Sequence, residues 1–285
     1  MLPYAGTIRI RFKGYLSARH AGTPSQVNHA IGFTGGLQPQ VPALAPGEQR
    51  ANLMRFFPRN FQVIFMSQMN VDVARQNMVE SQVRTWEVLD PRVLELLAHA
   101  PREDFVPEKF RNLAYADMNL PIGRGQVMMS PKMEARLLQA LEIGSGDRIL
   151  EIGTGSGYMT WLLATLGGHV CSVEIIPQFK MDAAVKLATH GTKNVTLDIG
   201  DGAHGWSRHQ PYDVILPTGS VPVLADAFRN SLAIGGRLVA VVGRPPVMEA
   251  VLIRRTGPES FTQDSLFETF LAPLMNSSEP EKFVF

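Results

Sequence analysis

The run Leu150-Glu-Ile-Gly-Thr-Gly-Ser-Gly-Tyr158 places three glycines at alternate positions directly after an apolar segment. Glycines at 153, 155 and 157 permit a tight turn and a close approach of backbone to a ligand. The spacing is G-x-G-x-G, not the G-x-G-x-x-G that sets a pyrophosphate on a helix N-terminus. Glu151, just ahead of the loop, would repel a pyrophosphate, whereas a carboxylate there suits the sulfonium and ammonium charges of S-adenosylmethionine. A second acid, Glu174, follows the glycine turn by about 20 residues, the position from which a carboxylate accepts hydrogen bonds from ribose hydroxyls. A third, Asp201, can accept from an adenine amino group, with Gly202 leaving room for the ring. Each acid alone reads equally as a strand-end charge or a turn. Together they form an ordered set at three successive strand ends, the edge where α/β folds bind ligands. The expected cofactor is S-adenosyl-L-methionine, and the expected contacts are Glu151, Gly153, Thr154, Gly155, Gly157, Glu174, Asp201 and Gly202.

These residues need an alternating scaffold, and from Arg148 onward the pattern supplies one. Arg148–Ile152, His169–Ile175, Val195–Ile199, Tyr212–Leu216 and Arg237–Val242 read as strands, the last after a Gly235-Gly236 turn. Tyr158–Leu166, Gln178–His190 and Pro222–Leu232 read as helices between them. The alternation predicts an α/β, Rossmann-like, doubly wound and mostly parallel sheet of the class I methyltransferase type. Glu249–Arg254 and Leu266–Leu271 follow without a helix and predict an antiparallel C-terminal edge. Upstream, residues 69–147 form a helical and substrate-loop region: a helix over Val71–Arg84, an Asp90 cap with Pro91 at the first helical position, an irregular passage over Asn112–Pro131, and a helix over Lys132–Leu141. The cofactor-binding core is 148–275, and the methyltransferase domain as a whole 69–285.

Residues 1–68 differ in character. They hold seven basic residues against Glu48 alone and a loose Gly35–Gly47 stretch, and they show no sustained period. Such a segment buries too little apolar surface to offset its chain entropy. It fits a disordered extension or a misassigned start, with the working protein beginning at Met66 or Met69, better than a transit or secretory peptide. The remaining 217 residues carry 20 basic and 25 acidic side chains, a balance that argues against a nucleic-acid partner held through phosphates. No apolar run approaches the ~20 residues that span a bilayer, which argues against a membrane protein. The single cysteine, Cys171, excludes an intramolecular disulfide and fits a reducing compartment such as the cytoplasm. Its bland reading is a small buried hydrophobe.

The loop region narrows the class. Pro101-Arg-Glu-Asp-Phe-Val-Pro107, Ala114-Tyr-Ala-Asp117 and Leu120-Pro-Ile-Gly-Arg-Gly-Gln126 resemble the protein-L-isoaspartate O-methyltransferase family. So do Glu151–Tyr158, Asn194-Val195, Gly200–Gly205 and Gly235-Gly-Arg-Leu-Val239. The resemblance runs from about Met78 to about Leu274. It implies methylation of the abnormal α-carboxylate of isoaspartyl residues in damaged proteins, so the partner is a protein or peptide carboxylate. It also implies cofactor contacts at Glu151, Gly153, Gly155, Glu174, Asp201 and Gly202.

One departure stands out. The family usually continues Gly-Gln with Thr-Ile-Ser, and that serine is treated as catalytic. Here the substrate loop reads Gly125-Gln126-Val127-Met128-Met129-Ser130, so the serine position is Met129 and the threonine position Val127. Ser130 can replace the serine only if the loop shifts by one residue. Methyl transfer to a carboxylate needs no general base, because that group is ionised at pH 7. A serine would orient the acceptor through a hydrogen bond of ~1.5–3 kcal/mol, so its loss predicts a slower reaction or a changed acceptor. Met128 and Met129 form a flexible apolar wall or pack beneath the loop. The readings that remain are an isoaspartyl-type carboxyl methyltransferase, a methyltransferase with a different acceptor, and a non-catalytic cofactor-binding protein; the intact glycine loop and acids speak against the last. No metal site is expected: His204 and His209 read as surface histidines. Trp86 and Trp161 read as core residues, and Trp206 as either an adenine neighbour or a core cap. The sequence does not fix an oligomeric state.

Overall fold

The chain divides into two units, Met1–Gln62 and Val63–Phe285, and the computed structural model describes residues 70–279, all within the second. The expectations for residues 1–68 lie outside the described residues.

The core is a seven-stranded sheet of order β5-β4-β3-β6-β7-β8-β9. Its strands are β3 (Arg148–Ile152), β4 (His169–Glu174), β5 (Val195–Ile199), β6 (Tyr212–Pro217), β7 (Leu232–Arg244), β8 (Val247–Arg255) and β9 (Phe261–Glu268). Strands β3 to β7 run parallel, joined by α3 (Tyr158–Leu166), α4 (Pro177–Thr189) and α5 (Asp226–Asn230). The near-continuous burial of Ile149–Ile152, Val170–Glu174 and Val214–Leu216 is what a parallel sheet covered on both faces requires. Strands β8 and β9 extend the edge antiparallel, as the helix-free sequence there predicts. The order reverses between β3 and β6, which places a topological switch point directly above Gly153 and Thr218.

Several predicted elements shift. The expected helix over Val71–Arg84 is helical to 78, then widens to a π-helix at Val79–Val83 and tightens to a 3-10 turn at Arg84–Trp86. Pro222–Leu232 yields only the five residues of α5, after a turn. The Gly235-Gly236 turn is instead a bulge inside the thirteen-residue β7: Gly235 takes φ +83°, and the β6–β7 register slips between Tyr212 and Val214. The last strand lies earlier than predicted, at Phe261–Glu268, and residues 271–274 fold back so that Leu274 N donates to Ser220 O at 2.9 Å. The irregular passage holds a small antiparallel hairpin, β1 (Leu120–Gly123) with β2 (Gln126–Met128), turning through Arg124 and Gly125 at positive φ.

Two helices flank this hairpin. In α1 (Pro91–His99), Asp90 caps as expected, accepting from Arg92 N at 2.8 Å. In α2 (Pro131–Leu141), the inward face carries Met133, Leu137, Leu138 and Leu141, and also the acid Glu134. Trp86 is 37% exposed and is not the core residue the sequence suggested, whereas Trp161 is partly buried and packs against the main core beside Phe105. Among the described residues, no helix is long and apolar enough to cross a membrane.

Candidate active site

The glycine loop leaves β3 at the switch point and enters α3. Gly153 sits at φ +99°, where a Cβ would meet Thr218 Oγ1 at 2.4 Å. That hydroxyl is itself fixed, donating to Gly153 O at 2.7 Å. Gly157, at φ +83°, is needed for a different reason, since a Cβ would press on Ala183 Cβ of α4 at 3.0 Å. It permits helix packing and lines none of the cavities at the loop.

Three cavities at this loop hold the strand-end acids or the substrate loop, and a fourth touches Gly155 and Ser156 on the side of Phe105 and Lys186. The largest contact set lines the first: Gly153, Gly155 and Glu174 from the expected residues, with Gln126 and Val127 from the hairpin. A second cavity shares Gly153 and Glu174 and extends to Asp201 and Gly202. A third is bounded by Thr154, Gly155, Val127, Met128, Met129 and Glu134. The structure therefore brings together two strand-end acids, most of the glycine loop and most of the substrate loop.

Glu174 is 4% exposed and anchors the loop: Oε2 accepts from Gly155 N at 2.8 Å and Oε1 from Ile176 N at 2.9 Å. Each carboxylate oxygen keeps a second lone pair for another donor. Asp201 accepts from Ala203 N at 3.0 Å and from Asn276 Nδ2 at 2.8 Å. The space beside Gly202 is already taken, because a Cβ there would meet the Ile152 side chain at 2.7 Å. The glycine serves that packing and also lines the second cavity.

Glu151 differs from the expectation. It is fully buried beneath the loop and lines none of the three cavities. Its Oε2 accepts from Thr160 Oγ1 at 2.5 Å and Ser172 Oγ at 2.6 Å, while Oε1 has no hydrogen-bond partner. Burial pushes this carboxyl up to about 8, against the two hydroxyl bonds, and the charge of Glu174 adds to the rise.

Ser130 also falls elsewhere. It starts α2, its N–H donates to Asn119 Oδ1 at 2.9 Å, and it lines a separate cavity with Trp86, Asp117 and Lys132. Met128 and Met129 are 5% and 4% exposed and belong to the main apolar core, so they pack beneath the loop as well as walling the third cavity. The one-residue shift that Ser130 would need has not occurred. Trp206 packs against Gly200 and the second core cluster and lines none of the three loop cavities.

Sequence reasoning missed the far wall. Thr218, Gly219 and residues 271–275 close the first cavity from the β6 and C-terminal side. Ser220 holds that segment, its Oγ donating to Leu271 O at 2.8 Å. No motif marks the segment; only its fold-back places it there.

The lining decides which ligand fits. The first cavity contains Glu174, bare backbone at Gly153 and Gly155, and no lysine or arginine. A pyrophosphate in this cavity would face the Glu174 carboxylate with no cation to offset it, whereas a cationic, hydroxyl-bearing nucleoside finds acceptors. The residues fit S-adenosylmethionine.

Fold and site together define a class I methyltransferase. The family model described as protein-L-isoaspartate(D-aspartate) O-methyltransferase matches residues 73–279. A protein-L-isoaspartate O-methyltransferase of Magnetococcus marinus is 42% identical over 186 residues, covering 65% of this chain and 82% of that protein. Protein-L-isoaspartate O-methyltransferase 1 of Rhodopseudomonas palustris is 40% identical over 202 residues, covering 70% and 82%. A solved Plasmodium falciparum structure, titled as such an enzyme in complex with S-adenosyl-L-homocysteine, superposes with TM-score 0.59 at 18% identity, over 71% of this chain and 99% of that one. The chain belongs to the protein-L-isoaspartate O-methyltransferase family.

Proposed function

We infer that this chain is an S-adenosylmethionine-dependent O-methyltransferase acting on the α-carboxylate of isoaspartyl residues in damaged proteins. The observation that carries the reading is the acceptor-rich, cation-free cavity at the switch point, walled on its hairpin side by Val127, Met128 and Met129. Membership of the family supports the acceptor.

Glu174 is assigned to the ribose, Asp201 to the adenine end, and Gly153, Thr154 and Gly155 to the backbone cradle. When bound, the cofactor supplies a methyl group on a positively charged sulfur. An acceptor carboxylate is already ionised, so the chain need provide no proton acceptor, and the first and third cavities contain no histidine. The work left to the protein is positioning and exclusion of water. The apolar Val127–Met129 wall excludes water, and the loss of both loop hydroxyls leaves the acceptor without their hydrogen bonds. Glu151 acts through the loop it underlies rather than by direct contact. The substrate is a protein or peptide, and the reading places the reaction in a reducing compartment, the cytoplasm.

The test is mass spectrometry of an isoaspartyl peptide incubated with the chain and S-adenosylmethionine. The reading expects one added methyl group, removed by mild alkali as an ester would be. A methyl group stable to alkali, or none despite bound cofactor, would contradict it.

A further inference from the structure

Cys171, Asp198 and His209 are spread over 39 positions, and no sequence spacing marks them as a ligand set. The sheet brings them together. Cys171 lies on β4, Asp198 on the neighbouring β5, and His209 in the loop before β6. Their donor atoms all lie within 4.8 Å of one another. Cys171 Sγ and His209 Nε2 each stand 3.8 Å from Asp198 Oδ2. A tetrahedral zinc ion, ~2.3 Å from sulfur and ~2.0–2.1 Å from nitrogen and oxygen, sets its ligand atoms roughly 3.3–3.6 Å apart. Two of the three edges therefore need to close by only a few tenths of an ångström.

The surroundings support the same use. Cys171 is buried while the His209 side chain is 51% exposed, which gives an entry path from the histidine side. Asp198 is steadied by Trp206 Nε1, 3.3 Å from Oδ2, and by Arg208 Nη1, 3.7 Å from the other oxygen, the kind of outer support that orients a metal-binding carboxylate. Arg148 donates to the His209 carbonyl, and the Tyr212 hydroxyl donates to that of Arg208, so the loop carrying His209 is tied at two points. None of the three ligand residues lines the cavities at the glycine loop.

We propose that Cys171 Sγ, Asp198 Oδ2 and His209 Nε2 form a three-ligand site for a thiophilic divalent cation of the zinc type, with a fourth position open to water. The thiol releases its proton to solvent as the metal–sulfur bond forms, and no oxidation state changes. Burial pushes the free thiol up to about 11, so the group is protonated until a cation draws the proton off. A bound ion ties β4 and β5 to the loop before β6.

Cys171 is the only cysteine of the chain, so a thiolate–cobalt charge-transfer band can come from no other residue. The full chain is titrated with Co2+ and followed in the near ultraviolet. The proposal expects a band that saturates at one ion per chain and is bleached by Zn2+. Cys171→Ala abolishes it, and His209→Ala, at an exposed side chain, weakens Co2+ binding roughly ten-fold or more with the circular dichroism unchanged. No charge-transfer band at saturating Co2+, or a band of undiminished affinity in His209→Ala, would overturn it.

Discussion

The Arg102 guanidinium and the Glu134 carboxylate form an ion pair beneath the substrate loop, with 0% and 2% of their side chains exposed. Arg102 also donates from Nε to Ala114 O at 2.7 Å and from Nη2 to Met129 O at 2.5 Å, and its guanidinium carbon lies 4.8 Å from the Tyr158 ring centre. One cation thus holds the hairpin exit, the preceding loop and α2 together.

The two partners are not equivalent when one is removed. Burial pushes the Glu134 carboxyl up to about 7, against the pull of Arg102, so an orphaned Glu134 can escape its charge by taking a proton. Arg102 has no such escape. Glu134→Met should therefore cost about 3–5 kcal/mol in denaturant unfolding, and Arg102→Met distinctly less. The double replacement should recover most of the larger loss. Equal costs for the two single variants would argue against this asymmetry.

Gly153→Ala should lower the melting temperature through two separate faults. The residue would have to hold φ +99°, and its Cβ would displace a Thr218 hydroxyl fixed by two carbonyls. Left-handed strain alone is worth roughly 1–2 kcal/mol, about 2–8 °C for a domain of this size. Gly153→Ala in a Thr218→Ala background should lose less than in the parent, a comparison calorimetry can make directly.

Glu174→Ala removes an acceptor that serves both the loop and the cavity. Loss of a charged hydrogen-bond acceptor is worth ~1.5–3 kcal/mol, so cofactor affinity should fall roughly ten- to a hundred-fold. Titration calorimetry with S-adenosylhomocysteine would measure it. Unchanged affinity would remove Glu174 from the binding set.

Glu151 imposes a pH dependence on stability. Its carboxyl is raised from 4.5 to about 8 in the folded chain, so between those values the folded state binds a proton that the unfolded state does not. Stability from this group is fully present below pH 4.5 and is lost as pH rises toward 8. In Glu151→Gln the loss should vanish, and the difference between parent and variant should grow with pH at up to about 1.4 kcal/mol per unit. Parallel unfolding curves at pH 5 and pH 8 in both proteins would contradict this.

The parts of the site legible in the sequence were those carried by local pattern. Gly153, Gly155 and Glu174 belong to a strand–turn–helix–strand unit whose apolar runs and glycines sit close together in the chain, and the cavity forms where they predict. Contacts made over long separations left no such trace. Arg102 and Glu134 are 32 positions apart, and Thr218 reaches Gly153 across 65. Gly235-Gly236 read as a turn because glycines usually break strands; here Gly236 lies where its own Cβ would stand 3.0 Å from Tyr212 O, so the strand passes through a close approach. Glu151 was placed at the ligand by its position beside the loop, but strand alternation turns its side chain under the loop toward Thr160 and Ser172.

The central claim is that carboxyl methylation of isoaspartyl residues survives without the loop serine. The most direct test is kcat/KM for transfer of a labelled methyl group to an isoaspartyl peptide and to its aspartyl isomer. Selective labelling of the isoaspartyl peptide by the unmodified chain, rising roughly ten- to a hundred-fold in Met129→Ser, is the predicted result. Equal labelling of the two isomers, or none by a chain that binds the cofactor, would contradict it.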